Sequence, residues 1–378
     1  MSLAKPVGAP RRTLAQAYEE VGRHAPGFDT LRILAALLVV VHHTQGYDPR
    51  VDILTDDLLF RIGAGYTTIG FFAVCIFFAI SGFLVTPGLT KTGNVIGYLS
   101  RRFMRIMPLL LVVVLATVFI VGPLATSLPL QSYFSDPQTW LYLKNVTTSL
   151  SLQLPGVVNE HGGDTVNGPL WTLRYEWLCY IALAVLSAVG LLRKRILVAG
   201  LWLAAIAFAS AMYVDQTDPG NQPIIFAHLF SYFACGVLLY LFRDRIPASP
   251  YAAIAAAALL VASWASGTGT VFAPALTGYL VAMLGLVRWP WSGLLAKADL
   301  SYGIYLMHAP SIIVVLALWS PSGPWALFAA TLALTIPLAA LSWFALEKPA
   351  LAHKTLPEAI FRRLAPAKLV QFADRPAG

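Results

Sequence analysis

The strongest constraint on the fold of this chain is the recurrence of apolar segments that are each long enough to cross a lipid bilayer. A transmembrane helix needs about 20 consecutive apolar residues, and in lipid only helices and closed barrels satisfy every backbone hydrogen bond. Of the 378 residues, 58% are hydrophobic and 12% are charged, against about 25% charged in a soluble domain. The sequence predicts an all-α integral membrane protein with about ten transmembrane helices, at residues 30–47, 66–88, 102–124, 171–190, 196–213, 223–242, 250–267, 271–288, 299–319 and 325–346.

With these spans alternating in direction, the basic residues fall almost entirely on one side. All but four of the 26 Lys and Arg residues lie on the side of the N-terminus, the exceptions being Arg50, Arg61, Lys144 and Arg174. Cytoplasmic loops carry such an excess, so both termini are predicted to be cytoplasmic. The net charge of +8 is explained by this sidedness, and no motif for binding nucleic acid accompanies it.

The predicted spans divide the chain into three parts. Residues 1–28 form a cytoplasmic arm, 29–349 the membrane domain and 350–378 a cytoplasmic tail. The longest segment between spans is 125–170, on the predicted outer side. A loop of this length is usually functional, and its Trp and Tyr residues suit either the membrane interface or a binding surface.

Two ionisable residues, Arg32 and His43, share one face of the first predicted span. They are eleven positions apart, which places them within about 20° of one direction and about 16 Å apart along a helix axis. Ionisable residues inside a span are costly and indicate function, and a neutral imidazole suits a general base. The alternatives are a snorkelling anchor for Arg32 and an interfacial polar residue for His43, as we expect for its neighbour His42.

Three arginines, Arg101, Arg102 and Arg105, open the third predicted span at the cytoplasmic face. Spacings of three and four residues bring Arg105 to the same side as the other two. Because guanidinium groups match phosphate oxygens in charge and geometry, the cluster is predicted to hold a phosphorylated cytosolic cofactor. The alternative is a positive-inside cluster that touches anionic lipid headgroups.

One carboxylate, Glu176, lies in the fourth predicted span, about one turn from its outer end. A buried carboxylate is costly unless it is partnered, and this one should reach the level of His43. It is predicted to orient and stabilise the imidazole, or to act as a base itself. A structural pair with Arg174 is the alternative.

Smaller polar patterns occur in other spans. Ser301, Tyr305 and His308 have the spacing of one helix face in the ninth span, which suits a substrate pathway or a satisfied packing network. Ser81 precedes Gly82 in the second span, a small pair that lets helices or a ligand approach closely. At the end of the tenth span, Glu347-Lys348-Pro349 is predicted to terminate the helix with a charge pair.

The order of these segments resembles the membrane-bound acyltransferase family 3, which includes bacterial O-acetylases of O-antigen and exopolysaccharide. The resemblance extends over nearly the whole predicted membrane domain. The motifs that carry it are the Arg32–His43 pair, Phe77-Phe78-Ala79-Ile80-Ser81-Gly82-Phe83, Arg102-x-x-Arg105 with Ile106 and Pro108, Leu170-Trp171-Thr172-Leu173-x-x-Glu176, and Leu300-Ser301-Tyr302-x-x-Tyr305-x-x-His308.

This resemblance implies an O-acyltransferase of the bacterial inner membrane. It implies acyl-CoA, most simply acetyl-CoA, as the donor and a carbohydrate or lipid-linked glycan as the acceptor, with membrane lipids around the protein and no metal. The predicted roles are catalysis for His43 and Glu176, donor binding for Arg32, Arg101, Arg102 and Arg105, and a substrate pathway for Ser81, Trp171, Tyr305 and His308.

Other classes of protein also fit the pattern. Ten spans with ionisable residues on both sides suit a transporter or flippase for a sugar or lipid, although no paired repeat of broken helices is visible. A non-catalytic assembly protein would tolerate the loss of His43. Within the transferase class, the size of the acyl group and the identity of the acceptor stay open.

Overall fold

The computed structural model describes residues 12–22, 25–47, 51–52, 54–147, 149–157, 165–212, 222–295 and 297–366. Parts of the predicted arm, outer loop and tail lie outside these residues. The described chain is helical and has no strand, as predicted. Its α-helices are α1 (Leu14–Val21), α2 (Gly27–Gly46), α3 (Leu58–Ile62), α4 (Ile69–Thr92), α5 (Val95–Ala116), α6 (Gly122–Ala125), α7 (Leu130–Ser135), α8 (Pro137–Leu141), α9 (Trp171–Ala188), α10 (Arg195–Ala211), α11 (Gln222–Leu241), α12 (Pro250–Ala265), α13 (Gly269–Gly285), α14 (Ser292–Leu295), α15 (Ser301–Leu318), α16 (Pro324–Ser342), α17 (Lys348–Ala352) and α18 (Leu356–Leu364).

Short tighter or wider helical turns connect several of these helices. Two π-helical segments, Thr117–Val121 and Trp343–Glu347, join α5 to α6 and α16 to α17. The 3-10 segments are Tyr142–Thr147, Gly168–Leu170 and Leu191–Arg193.

Six helical stretches in the described chain are long and apolar enough to cross a membrane: Gly27–Gly46, Ile69–Thr92, Val95–Ala125, Gln222–Leu241, Ser301–Leu318 and Pro324–Ala352. This finding supports a multi-pass membrane protein. The apolar helices α10, α12 and α13 have 16 or 17 residues, or about 25 Å at 1.5 Å per residue, which is less than the hydrocarbon core of about 30 Å. The number of ten spans and the cytoplasmic termini therefore stay predictions.

Helix α11 lies in the interior of the bundle and packs along α4 with their backbones in contact. A Cβ atom on Gly82 would stand 1.9 Å from the carbonyl oxygen of Phe233, and one on Gly236 would stand 2.2 Å from that of Ala79. Small residues permit such approaches in membrane bundles. The predicted role of Gly82 in close packing is confirmed, and the neighbouring Ser81 lines an internal cavity.

The two ends of the bundle are named here after residues of α2. At the His43 end, Gly70 at the start of α4 packs against the His42 ring. At the Arg32 end, Gly285 at the end of α13 packs against the Phe28 ring. Helices α2 and α4 therefore run in opposite directions.

The predicted outer loop is folded against the bundle where it is described. Tyr133 and Tyr142 are fully buried, and the Tyr133 hydroxyl donates a hydrogen bond to the Val118 carbonyl oxygen at 2.9 Å. These two aromatic residues thus serve packing. Leu150 and Leu152, further along the loop, line a cavity at the His43 end.

The predicted end of the tenth helix at Glu347 is wrong. The chain continues from the π-helical segment Trp343–Glu347 into α17, where Pro349 occupies the first turn. Proline is tolerated there because the first N–H groups of a helix have no intrahelical partner. Glu347 does form a charge pair, and its partner is Arg105 of α5.

Candidate active site

A network of ion pairs closes the Arg32 end of the bundle interior. Arg105 on α5 donates hydrogen bonds to Glu347 at 2.5 Å and to Asp299 at 2.7 Å. Arg32 on α2 donates to Asp29 at 3.1 Å and lies 3.8 Å from Asp299. Buried charges require such partners. Two of the four arginines that the sequence assigns to donor binding, Arg32 and Arg105, are therefore already paired with carboxylates.

Two hydroxyl groups complete this network. Ser301 donates to Asp299 at 2.6 Å and Ser342 donates to Glu347 at 2.9 Å. Asp299 interacts with both arginines. Sequence reasoning missed it because it precedes the Ser301 motif, at the edge of a predicted span. An acidic residue beside that motif, in a chain with two intramembrane arginines, was the available signal.

A cavity of about 100 Å³ adjoins the ion-pair network inside the bundle. Glu176 accepts a hydrogen bond from the Tyr180 hydroxyl at 2.5 Å, and that hydroxyl lies 3.4 Å from Ser81 Oγ. The structure brings six of the predicted site residues to this inner cavity, namely Arg32, Ser81, Arg102, Arg105, Glu176 and Tyr305, together with Ser301 of the polar stripe.

Among the three arginines that line the inner cavity, Arg102 is the one without a carboxylate partner in the described chain. It lies over the Tyr180 ring, 5.8 Å from its centre. Its buried Nε has no hydrogen-bond partner among the described residues. A buried donor without a partner is costly, which makes this position suited to an anionic ligand. Arg101 lies outside the cavity lining, with Nη2 only 3.6 Å from where a Cβ on Gly88 would stand.

The hydrogen bonds around His43 determine which of its ring nitrogens carries the proton. His43 Nδ1 lies 2.9 Å from the Val39 carbonyl oxygen and 3.2 Å from Nε2 of His308, while His308 Nδ1 lies 3.1 Å from the Ile304 carbonyl oxygen. A carbonyl oxygen only accepts, so protons on both Nδ1 atoms satisfy all three contacts. His43 Nε2 then keeps a free lone pair.

His43 Nε2 has no hydrogen-bond partner within the described part of the chain, and a Cβ on Gly168 would stand 3.8 Å from it. His43 lines a second cavity of about 500 Å³ at the His43 end of the bundle. A neutral imidazole with a free nitrogen at a cavity wall has the arrangement of a general base.

The predicted contact between Glu176 and His43 is not present, because His308 occupies the place beside Nδ1. Helix α9 begins at Trp171 beside the larger cavity, and Glu176 lies five residues further along, about 7.5 Å deeper toward the Arg32 end. There it is bonded to Tyr180. Sequence reasoning placed His308 in a polar stripe but did not pair it with His43.

Several aromatic side chains stand in the walls of the larger, outer cavity. The rings of Phe71 and Trp171 are stacked at 6.3 Å with 10° between their planes, and Tyr66 and Tyr175 also line it. The predicted pathway residue Trp171 thus lies in a cavity wall. His42, predicted as merely interfacial, lines the same cavity. No cluster of three or more His, Cys, Asp or Glu residues suited to a metal ion occurs among the described residues.

Tyr305 stands between the two cavities and lines both of them. Its hydroxyl lies 2.7 Å from Thr172 Oγ1 and donates to the Pro169 carbonyl oxygen at 3.1 Å. The predicted stripe is confirmed as one helix face, with Ser301 at the ion-pair network, Tyr305 between the cavities and His308 against His43.

Residues 26–344 match the family model described as an acyltransferase domain. The chain therefore belongs to this acyltransferase family, as the motif resemblance predicted. The assignment makes the protein a membrane acyltransferase and does not favour the transporter alternative. No solved structure matches the chain significantly.

Several characterised proteins are similar to it. Nodulation protein 10 of Rhizobium leguminosarum bv. viciae is 29% identical, over 92% of this chain and 99% of that protein. An O-acetyl transferase of Shigella phage Sf6 is 32% identical, over 43% of this chain and 45% of its own length. The peptidoglycan O-acetyltransferase OatA of Listeria monocytogenes is 26% identical, over 53% of this chain and 31% of its own length.

Proposed function

We propose that the protein is an O-acetyltransferase of the bacterial inner membrane, with ten spans and both termini in the cytoplasm. It moves an acetyl group from cytosolic acetyl-CoA to a hydroxyl of a carbohydrate or lipid-linked glycan on the outer side. The observation that carries the proposal is the pair of adjoining cavities separated by Tyr305. Two relatives are named as O-acetyltransferases, one of them for peptidoglycan, which supports the acetyl group and the glycan.

The donor enters from the Arg32 end, which the excess of Lys and Arg makes cytoplasmic. The inner cavity of about 100 Å³ admits the thioester end of the donor, and Arg102, whose Nε lacks a partner, faces its polar groups. Arg32 and Arg105 keep their carboxylates and hold α2, α5 and α15 together beneath the cavity. Arg101 assists at the rim of the donor path.

The acceptor occupies the outer cavity, whose volume of about 500 Å³ lies in the range of small-molecule sites. Its aromatic walls suit the apolar face of a sugar ring. We place the thioester carbon at the Tyr305 partition, which the donor reaches from the inner cavity and the acceptor hydroxyl from the outer cavity. His43 Nε2 takes the proton of that hydroxyl while its oxygen attacks the thioester carbon. The carbon–sulfur bond breaks, and the sulfur leaves as the thiol of coenzyme A with a proton that we assign to the hydrogen-bonded pair Tyr180 and Glu176 on the donor side.

Replacing His43 by Ala tests this mechanism directly. Membranes that contain the protein are supplied with radiolabelled acetyl-CoA, and label in the glycan fraction is measured. We expect His43→Ala to lower the rate of transfer by about 10²–10⁴, the usual contribution of a general base.

The matched control is His228→Ala, because His228 is a buried histidine that lines neither cavity. Its rate of transfer should stay within a few-fold of the wild type. Full transfer by a well-expressed His43→Ala protein would remove the catalytic assignment.

A further inference from the structure

A basic cavity at the Arg32 end takes no part in the reaction centre described so far. It has a volume of about 340 Å³ and lies between the ends of α4, α9 and α11. Four cationic side chains line it: Lys91, Arg193, Arg195 and Arg243. Thr90 and Ser187 add hydroxyl groups, and the described residues of its lining include no Asp or Glu. We call it the basic pocket.

Two of its arginines are held in place by the protein. Arg243 lies over the Tyr240 ring at 4.2 Å and donates to the Tyr240 carbonyl oxygen at 2.8 Å. Arg195 donates to Asp244 at 3.0 Å and lies 5.7 Å from the centre of the Phe242 ring. Guanidinium groups that are already oriented lose less conformational entropy when they bind a ligand. The excess of Lys and Arg in cytoplasmic loops explains positive charge at this face of the protein. It does not explain why four cationic side chains line one cavity.

We propose that the basic pocket binds phosphate groups. Guanidinium forks and ammonium groups are the side chains that match phosphate oxygens best, and four such groups line this one cavity. Two molecules present at a cytoplasmic membrane face carry such groups: the nucleotide end of coenzyme A and the headgroup of an anionic lipid. The nucleotide source rests on the proposed function, whereas the lipid source does not.

The position of the pocket relative to the inner cavity favours the nucleotide. Helix α4 carries Ser81 in the inner cavity and Thr90 in the basic pocket, nine residues or about 13 Å along its axis. Helix α9 likewise carries Glu176 in one and Ser187 in the other, about 16 Å apart. Coenzyme A separates its thiol from its nucleotide phosphates by the pantetheine arm, so a single donor extends from one site to the other. The inner cavity, at about 100 Å³, has no room for the nucleotide itself.

The test uses the full-length protein in nanodiscs of neutral phosphatidylcholine, with adenosine bisphosphate as the probe and calorimetry as the readout. We expect the double variant Lys91→Gln/Arg243→Gln to bind the probe at least about tenfold more weakly than the wild type, since each charge-assisted hydrogen bond is worth that much. Arg245→Gln is the matched control, because Arg245 lies two residues from Arg243 with a side chain that is 75% exposed and is not part of the pocket lining. It should bind like the wild type.

A second arm identifies the source of the phosphate. Native mass spectrometry measures how much phosphatidylglycerol each protein retains after mixed-lipid purification. If the double variant retains less phosphatidylglycerol than the wild type and no protein binds adenosine bisphosphate, the ligand of the basic pocket is the lipid headgroup. If the double variant and Arg245→Gln agree in both measurements, the phosphate site is refuted. Should the double variant fail to fold, the exposed Lys91→Gln alone is expected to weaken binding several-fold.

The outcome is separable from the proposed reaction. Adenosine bisphosphate carries no acyl group, so its binding does not depend on His43. A His43→Ala protein that transfers acetyl normally would overturn the proposed mechanism and leave the basic pocket intact. Normal acetyl transfer by the wild type, combined with equal probe and lipid binding in all variants, would refute the phosphate site and leave the proposed mechanism intact.

Discussion

At the scale of single residues, the chemistry depends on which nitrogen of His43 is free. Two acceptors, the Val39 carbonyl oxygen and His308 Nε2, face Nδ1, and this arrangement leaves Nε2 as the basic atom at the cavity wall. His308 is fully buried and lines neither cavity. In the proposed mechanism it is thus a positioning residue, which helps to hold the tautomer and the ring orientation of His43.

Variants of His308 test this role. His308→Leu removes one of the two acceptors, and we expect kcat to fall about fivefold at unchanged KM, since one such hydrogen bond is worth about 1 kcal/mol. His308→Gln keeps an acceptor oxygen and should recover part of the lost rate. The pH profile of kcat should also move in His308→Leu, because the Nδ1–H group of the base loses one of its two acceptors. Equal activity and equal pH profiles in the two variants would contradict the positioning role.

At the scale of helices, the bundle depends on the contact between α4 and α11. Gly82 and Gly236 lie opposite the backbone of the other helix, at distances that no side chain fits. Helix α4 contributes Phe71 to the outer cavity, Ser81 to the inner cavity and Thr90 to the basic pocket. A shift of this helix would therefore disturb all three sites together.

Gly82→Ala tests that contact. The added Cβ would stand 1.9 Å from a backbone carbonyl oxygen, so the helices must separate, and overpacking of this kind costs about 1–3 kcal/mol or more. We expect a lower melting temperature of the detergent-solubilised protein and reduced transfer. Gly200→Ala on α10 is the control, because a Cβ there meets nothing within 4 Å. An unchanged melting temperature in Gly82→Ala would show that the two helices are not tightly packed.

At the scale of the whole molecule, function depends on which face of the membrane each cavity meets. The three cysteines, Cys75, Cys179 and Cys235, are buried, so cysteines introduced at the surface report on sidedness with little background. Ser132 on α7 lies at the His43 end and Lys194, before α10, lies at the Arg32 end, and both are exposed.

The labelling experiment follows from these positions. In intact cells, a membrane-impermeant maleimide should label Ser132→Cys and leave Lys194→Cys unlabelled, whereas opened membranes should allow both to react. The reason is that the basic end is predicted to be cytoplasmic. Labelling of Lys194→Cys alone in intact cells would invert the topology and, with it, the assignment of donor and acceptor cavities.

Sequence patterns located most of the candidate site because helix periodicity reports which residues share a face. Arg32 with His43, and Tyr305 with His308, were found in that way. Periodicity does not report which distant helix a face will meet. The pair His43–His308 spans 265 positions and the pair Arg105–Glu347 spans 242, so both depended on the three-dimensional packing. The relative depth of residues on different helices was the second source of error, because Glu176 lies deeper in the bundle than His43, whose level it was expected to share.

The Tyr305 partition also bears on the electrical insulation of the membrane. Two internal cavities reached from opposite faces would, if joined, offer ions and protons a route down their gradients. The Tyr305 ring, fixed by its bonds to Thr172 and the Pro169 carbonyl and packed edge-on against Phe77, interrupts that route. In the proposed reaction an acyl group need only pass from one side of this barrier to the other while bound, so a glycan outside the cell would be modified without loss of the membrane potential.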